Sequence, residues 1–160
     1  YGRDLTNGRA LGIAVQESFG SFVAEVAEVS LDENRRPVIH KVTCAIDCGW
    51  AVNPDTIEAQ VESGIIYGLT AAMYGEITIE NGQVVQGNFP EYEMIRMSTS
   101  PEIEVHIIES GEALGGLGEP ATPPIAAAVT NAIYILTGQR VRNLPIKNHD
   151  FSENSPLARV

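Results

Sequence analysis

The sequence has 160 residues, of which 44% are hydrophobic and 19% are charged, so it is long enough and apolar enough for one globular domain. Lysine and arginine total 10 against 21 aspartates and glutamates, which gives a formal net charge of -11. This balance argues against binding to nucleic acid, which needs clustered cations, and against attraction to an anionic membrane surface. No apolar run approaches the roughly 18 residues of a membrane span. We therefore predict no span, and the compartment, cytoplasmic or periplasmic, stays open.

The first third of the chain is predicted to form strands. Residues 12–31 are rich in Val, Ala and Phe and contain turn residues, which is typical of one or two strands. A charged turn at 32–37 leads to a further strand over 38–47. Glu25 and Glu28 fall on opposite faces because side chains alternate along a strand. Since neither face is then cleanly apolar, we expect this strand to be largely covered.

Cys44 and Cys48 are interpreted as two buried thiols. Four strand steps separate them by about 13 Å, whereas a disulfide needs Cα atoms about 4.4–6.8 Å apart. No neighbouring His or Cys in the sequence completes a set of metal ligands.

A helix is predicted to start at Asn53, a good N-cap, with Pro54 at its first position, and to run to about Tyr74. Gly64 and Gly68 lie four residues apart inside it. Each glycine should cost about 1 kcal/mol relative to alanine. That cost indicates that another backbone, or a ligand, packs closely against this face of the helix.

The next segment is predicted to contain a hairpin and a strand. The Asn-Gly pair at 81–82 stands between alternating segments at 76–80 and 83–87, which is a strong hairpin signal. Residues 89–100 are expected to be irregular, and 103–108 to form a strand.

A glycine-rich loop over 111–118 precedes Glu119 and a second predicted helix. Thr122 is expected to cap this helix and Pro123 to occupy its first position, with the end near 137–138.

The order of elements predicts an α+β fold with a mostly antiparallel sheet and two main helices. Strands occur in hairpin-like groups, and the two helices follow separate groups. We expect residues 1–147 to belong to one domain and the polar residues 148–160 to form a flexible tail.

Glu119 is the first candidate for chemistry. The glycines before it let the backbone approach a partner closely, and a carboxylate placed there can act as a general base. If the loop is buried, desolvation should outweigh the nearby helix N-terminus and raise the pKa of Glu119 towards neutral pH. The alternative is a glycine-rich turn with a solvated or capping glutamate. The loop matches neither the Walker nor the dinucleotide-binding pattern, because it lacks the required lysine and spacing.

Gln60 is the second candidate. It lies four residues before Gly64 on the predicted helix. Its amide offers donors and an acceptor, so it can read the polar edge of a bound cofactor. The alternative is an ordinary surface or structural glutamine.

Two motifs resemble the xanthine dehydrogenase and aldehyde oxidase family. The first comprises DCG at 47–49, VNP at 52–54, EAQVESG at 58–64 and Gly68, and the second comprises GLGEP at 116–120 and Pro124. The motifs are similar to those in the C-terminal half of the family's molybdopterin-binding large subunit. Further similarity to the isoquinoline 1-oxidoreductase type of β subunit lies in ESFG at 17–20, NF at 88–89 and GEPATPP at 118–124.

The resemblance implies that the chain is a fragment of the catalytic large subunit of a molybdenum hydroxylase, with 1–147 forming part of its molybdopterin-binding domain. Such enzymes insert water-derived oxygen at an electron-poor carbon. The implied substrate is an N-heteroaromatic such as isoquinoline. The alternatives are oxidation of an aldehyde to a carboxylate within the same family, or a non-catalytic structural module.

The resemblance also implies roles for three residues. Glu119 matches the catalytic glutamate, which accepts a proton at the molybdenum centre. Gln60 matches the glutamine that hydrogen-bonds the pterin cofactor, and Gly118 belongs to the same cofactor-binding set. Ala59 stands where the family usually has glycine, which weakens none of these roles.

The implied partners are the missing N-terminal part of the same subunit and a small subunit that carries iron–sulfur clusters. The sequence itself has no cysteine cluster for iron–sulfur binding. We therefore expect the 160-residue chain alone to be inactive, and molybdopterin to be bound only by the complete subunit.

Overall fold

The computed structural model describes residues 4–5 and 8–152. In chain order the elements are β1 (Asp4–Leu5), β2 (Arg9–Ser18), β3 (Ser21–Leu31), β4 (Pro37–Asp47), α1 (Pro54–Met73), β5 (Ile79–Glu80), β6 (Gln83–Val84), β7 (Glu102–Ile108) and α2 (Pro124–Thr137).

A five-stranded sheet forms one layer, with strand order β1-β2-β3-β4-β7. The first four strands pair antiparallel, whereas β7 lies parallel to β4. A parallel neighbour requires a long crossover, and the chain between β4 and β7, which contains α1, provides it. The predicted α+β fold with a mostly antiparallel sheet and two main helices is confirmed.

The segment 12–31 forms a tight hairpin of β2 and β3. Phe19 and Gly20 make the turn, with φ angles of 54° and 74°. Positive φ at both turn residues suits the right-handed twist of the paired strands. The two glutamates of β3 lie on opposite faces, as predicted: Glu25 is fully buried, whereas Glu28 pairs with Arg9 at 2.6 Å.

The helices cover one face of the sheet. α2 packs on β2 and β3, and α1 packs on α2 and β7. Gly12 of β2 permits a close approach of α2, because a Cβ there would overlap the carbonyl oxygen of Ala128. Between the layers lies a continuous apolar core, in which Cys44 and Cys48 are buried free thiols, as predicted.

α1 begins as predicted. The Asn53 side-chain oxygen accepts a hydrogen bond from the Thr56 backbone N–H at 3.1 Å, and Pro54 occupies the first turn. This cap pairs one of the four N–H groups that a helix start leaves free.

The predicted start of α2 was wrong by one residue. Pro123 is the N-cap, Pro124 is the first helical residue, and Thr122 makes no side-chain cap. Two consecutive prolines remove two backbone N–H groups, so fewer donors need a cap. The end was predicted well: Gly138, with φ of 72°, donates its N–H to the Tyr134 carbonyl.

The predicted hairpin forms but is short. β5 and β6 are two residues each and exposed, and Asn81 and Gly82 make the turn with φ angles of 51° and 79°. Residues 89–100 contain a short 3-10 turn at Phe89–Glu91 and are otherwise irregular, as predicted.

The described start of the predicted flexible tail packs on the domain. Phe151 is buried, its carbonyl accepts a hydrogen bond from Arg35 Nε at 3.0 Å, and its ring stacks with His149. The rest of the predicted tail, 153–160, lies outside the described residues. Among the helices that the structure describes, none is long and apolar enough to cross a membrane.

Candidate active site

The glycine-rich loop after β7 is fastened to two turns of the sheet. The Gly115 N–H donates to the carbonyl oxygen of Cys48, at the end of β4, at 3.0 Å. The Gly116 N–H donates to the Phe19 carbonyl oxygen, in the β2–β3 turn, at 2.8 Å. The Ser21 hydroxyl donates to the Gly116 carbonyl oxygen at 2.7 Å. The loop is therefore held from both sides, immediately before Glu119.

Two of the loop glycines are explained by this packing. A Cβ on Gly115 would lie 2.6 Å from the Gly20 carbonyl oxygen, and one on Gly116 would lie 2.8 Å from Phe19 Cβ. Gly118 differs, because a Cβ there would meet no described atom within 4 Å. Its φ is also outside the left-handed range. Nothing in the described part of the chain therefore requires a glycine at 118.

The close packing that the glycines of α1 indicated is packing against the segment before α2, through side chains at Gly64 and through the backbone at Gly68. A Cβ on Gly64 would lie 3.2 Å from Ala121 Cβ. A Cβ on Gly68 would overlap the Thr122 carbonyl oxygen and lie 2.5 Å from Ile125 Cγ2. The segment that fills this face thus begins two residues after Glu119.

This contact joins the elements that carry the two candidates. Gln60 lies one helical turn before Gly64, and Glu119 lies just before the segment that packs on Gly64. The Thr122 N–H donates to the Glu119 carbonyl oxygen at 2.9 Å, so the backbone of Glu119 is part of a turn.

Gln60, Gly118 and Glu119 are all exposed. Neither side chain, the Gln60 amide nor the Glu119 carboxylate, has a hydrogen-bond partner among residues 8–152. The burial of Glu119 that the sequence led us to consider is not provided by the described residues. Glu119 also lies outside the first turn of α2, which begins only at Pro124.

A small apolar pocket of about 190 Å³ lies between the start of α1 and the glycine-rich loop. Trp50 and Leu114 line it, and these residues are 68% and 67% exposed. Sequence reasoning missed both residues, because an apolar residue in an irregular segment gives no periodic signal. Two larger grooves, about 680 Å³ each, are lined by none of the three predicted site residues.

Sequence reasoning also missed Ser21 and the full burial of Glu25. The partner of Ser21 lies 95 positions away, so no local pattern could reveal it. Glu25 faces the helices between Ala14 and Cys44 of the neighbouring strands, and neither carboxylate oxygen has a partner among the described residues. Burial raises the pKa of Glu25 to about 8.

A sequence model described as the molybdopterin cofactor-binding domain matches residues 12–101. The chain belongs to this family, the molybdopterin-binding part of xanthine dehydrogenase and aldehyde oxidase type large subunits. It is 36% identical over 145 residues to the isoquinoline 1-oxidoreductase subunit beta of Brevundimonas diminuta, covering 90% of this chain and 19% of that protein.

Other relatives are named after different enzymes. The chain is 31% identical to a membrane-bound aldehyde dehydrogenase of Gluconacetobacter polyoxogenes, covering 92% of this chain and 19% of that protein. It is also 31% identical to a putative xanthine dehydrogenase molybdenum-binding subunit of Escherichia coli K12, covering 98% of this chain and 20% of that protein. The chain thus spans about a fifth of the length of these relatives.

The fold also matches that of solved structures. Against quinoline 2-oxidoreductase from Pseudomonas putida 86 the TM-score is 0.73 at 22% identity, covering 79% of this chain and 17% of that one. This likeness confirms the fold. The family match identifies molybdopterin as the cofactor of the family.

Proposed function

We propose that this chain is part of the catalytic large subunit of a molybdenum hydroxylase that oxidatively hydroxylates an N-heteroaromatic substrate, such as isoquinoline, with water-derived oxygen. The observation that carries the proposal is the packing of α1 on the segment that follows Glu119. This packing fixes an amide-bearing helix against a carboxylate-bearing loop, and both side chains stay free of protein partners in the described chain. An aldehyde is the second substrate class, because a relative at 31% identity is named an aldehyde dehydrogenase.

The residues present fit the family's cofactor. The exposed Gln60 amide offers donors and an acceptor to the polar edge of a pterin. The open space at Gly118 allows a ligand to approach the backbone where a side chain would stand in its way. The free Glu119 carboxylate is an acceptor without a competing protein donor among the described residues.

When bound, the molybdenum cofactor supplies the two-electron oxidation of the substrate carbon. Glu119 accepts a proton from the reacting group, and Gln60 orients the pterin by hydrogen bonding. The backbone bonds at Gly115 and Gly116 hold the loop, so that the carboxylate is positioned before the reaction begins.

Other parts of the assembly complete this site in our proposal. The rest of the large subunit covers the exposed carboxylate and excludes water from it. A small iron–sulfur subunit would take up the electrons that the substrate loses.

Replacing the proposed base tests the function. In the complete molybdenum-loaded enzyme, Glu119→Gln keeps the size of the side chain but removes its ability to accept a proton. We expect turnover of isoquinoline, or of benzaldehyde if the aldehyde class is correct, to fall roughly 10²- to 10⁴-fold. Molybdenum content should not change, as measured by elemental analysis.

Glu112→Gln is the matched control, because Glu112 is an exposed carboxylate in the same loop. Its rate should remain that of the unmodified enzyme. If Glu119→Gln turns over at the full rate with a full complement of molybdenum, the proposed catalytic role is wrong and a structural module is favoured.

A further inference from the structure

Ser21 provides the one side-chain hydrogen bond to the backbone of residues 113–119 among the described residues. Its hydroxyl donates to the Gly116 carbonyl oxygen at 2.7 Å. Ser21 is fully buried, at the first position of β3, directly after the Phe19–Gly20 turn. Because the Ser21 donor is buried and Gly116 is partly buried, water competes less for this hydrogen bond than for an exposed one.

The fit around Ser21 is tight. A Cβ on Gly115 would overlap the Ser21 hydroxyl oxygen, and would lie 2.6 Å from the Gly20 carbonyl oxygen. The glycine at 115 thus lets the loop approach Ser21, and the hydroxyl then pairs with the next residue of the loop. Gly116 is in addition bonded through its N–H to Phe19. Both polar backbone groups of Gly116 are therefore held by one turn.

From Gly116 the chain reaches Glu119 in three residues, and from there the Thr122 N–H closes a turn on the Glu119 carbonyl oxygen. A displacement of the loop at Gly116 is transmitted to the carboxylate over this short distance. Catalysis is sensitive to such displacements, since a shift of about 1 Å can cost about 100-fold in rate.

We infer that Ser21 is a positioning residue: by its hydrogen bond to Gly116 it fixes the loop that presents Glu119 to the reacting group. This inference rests on the proposed function, because it assigns Ser21 a part in the reaction only through Glu119.

The test compares Ser21→Ala with the unmodified complete enzyme, which is loaded with molybdenum. Loss of one hydrogen bond should speed amide exchange in residues 112–119 about fivefold to tenfold. It should lower kcat for isoquinoline or benzaldehyde roughly 10- to 100-fold, with little change in KM or molybdenum content. Ser21→Cys, which nearly keeps the volume and supplies a weaker donor, should give an intermediate result and serves if the alanine variant folds poorly.

Ser30→Ala is the matched control. It makes the same change on the same strand and removes a hydrogen bond to His40 Nε2 of 2.8 Å, far from the loop. It should leave both kcat and the rate of amide exchange in residues 112–119 unchanged. If it lowers kcat as much as Ser21→Ala does, the effect is general to the sheet and the inference is wrong.

Glu119→Gln, measured beside these variants, distinguishes a failure of the positioning role of Ser21 from a failure of the proposed function. Suppose that Glu119→Gln is inactive while Ser21→Ala keeps the kcat, or the amide exchange rate in residues 112–119, of the unmodified enzyme. The positioning role is then wrong and the proposed function stands. If Glu119→Gln is fully active, the proposed function fails and the role of Ser21 fails with it.

Discussion

Glu25 shows how a single residue can make the fold sensitive to pH. Its carboxyl group is buried on the face of β3 that the helices cover, and the neighbouring titratable group is the thiol of Cys44. α2, which packs on β2 and β3, contains no charged residue. Burial therefore raises the pKa of Glu25 from 4.5 to about 8, and burial together with Glu25 raises the pKa of Cys44 to about 12.

The sign of the pH effect follows from these pKa values. The folded chain binds the Glu25 proton more tightly than the unfolded chain does. Below pH 4.5 the group is protonated in both states, so its full contribution to stability is present. Between pH 4.5 and about 8 the unfolded chain releases its proton first, and stability falls by up to about 1.4 kcal/mol per pH unit. Above that range the loss is complete.

We predict that Glu25→Gln removes this loss, because the amide cannot ionise. The free energy of unfolding of the variant, from urea titrations at pH 5.5 and 8.5, should change less with pH than that of the parent. At pH 8.5 the variant should be the more stable protein.

Glu28→Gln is the comparison for this experiment, since Glu28 lies on the opposite face of the same strand and pairs with Arg9. It should retain the fall in stability between the two pH values. An equally steep fall in Glu25→Gln would show that Glu25 is not the responsible group.

At the scale of elements, the two glycines of α1 differ in what they face. A Cβ on Gly64 meets the Ala121 and Thr122 side chains at 3.2 and 3.4 Å, which small movements can relieve. A Cβ on Gly68 overlaps the backbone oxygen of Thr122, which cannot move without shifting the start of α2. Gly68 is therefore the position where glycine is more strictly required.

We predict opposite outcomes for the same substitution one turn apart. Gly68→Ala should destabilise the chain, because overpacking costs about 1–3 kcal/mol and exceeds the gain of about 1 kcal/mol in helix propensity. Gly64→Ala should stay within about 1 kcal/mol of the parent, since its strain and its gain nearly cancel. Thermal unfolding of both variants measures the difference. Equal effects would refute the assigned packing.

Local signals predicted the elements well. The start of α1, the Asn81-Gly82 turn and the end of α2 each depend on a few adjacent residues, so sequence reasoning located them. Thr122 was wrongly predicted as the N-cap of α2, because the prediction considered only which side chain can accept a hydrogen bond. The two prolines that follow have no N–H groups, so fewer donors need a cap.

The site was predictable only in part. Residue patterns and motif resemblance both selected Glu119 and Gln60, and the resemblance placed Gly118 with them; the roles of all three stay proposals. The bond of Ser21 to Gly116 spans 95 positions, and the burial of Glu25 depends on which sheet face the helices cover. Both are properties of tertiary packing, and a single sequence carries no local sign of them.

At the scale of the whole molecule, apolar side chains are exposed at the end that carries the loop. Phe19 and Trp50 lie in the two turns that hold the loop, and Leu114 lies in the loop itself; all three are exposed. A surface of this kind is typical of an interface. It fits the proposal that the rest of the large subunit covers this end.

We predict that the 160-residue chain alone neither retains the cofactor nor turns over substrate. The described residues leave Gln60 and Glu119 exposed, so they supply one side of a site only. After incubation with molybdenum cofactor and gel filtration, molybdenum in the protein fraction should be far below one per chain, and oxidation of isoquinoline or benzaldehyde should be absent.

The complete subunit, loaded in the same way, is the positive control for that experiment. Stoichiometric molybdenum together with turnover in the isolated chain would show that the site is complete within these residues.

The short exposed hairpin of β5 and β6 has a practical consequence. It lies in the crossover between α1 and β7, whereas α1 is anchored by its own glycine face on residues 121–125. A change in the length of this exposed hairpin should therefore leave Gln60 and Glu119 in place, because the part of the crossover that contacts α1, at Ile95, lies outside it. An affinity tag or a fluorescent reporter is therefore best inserted at Asn81-Gly82, where the described residues leave the turn exposed.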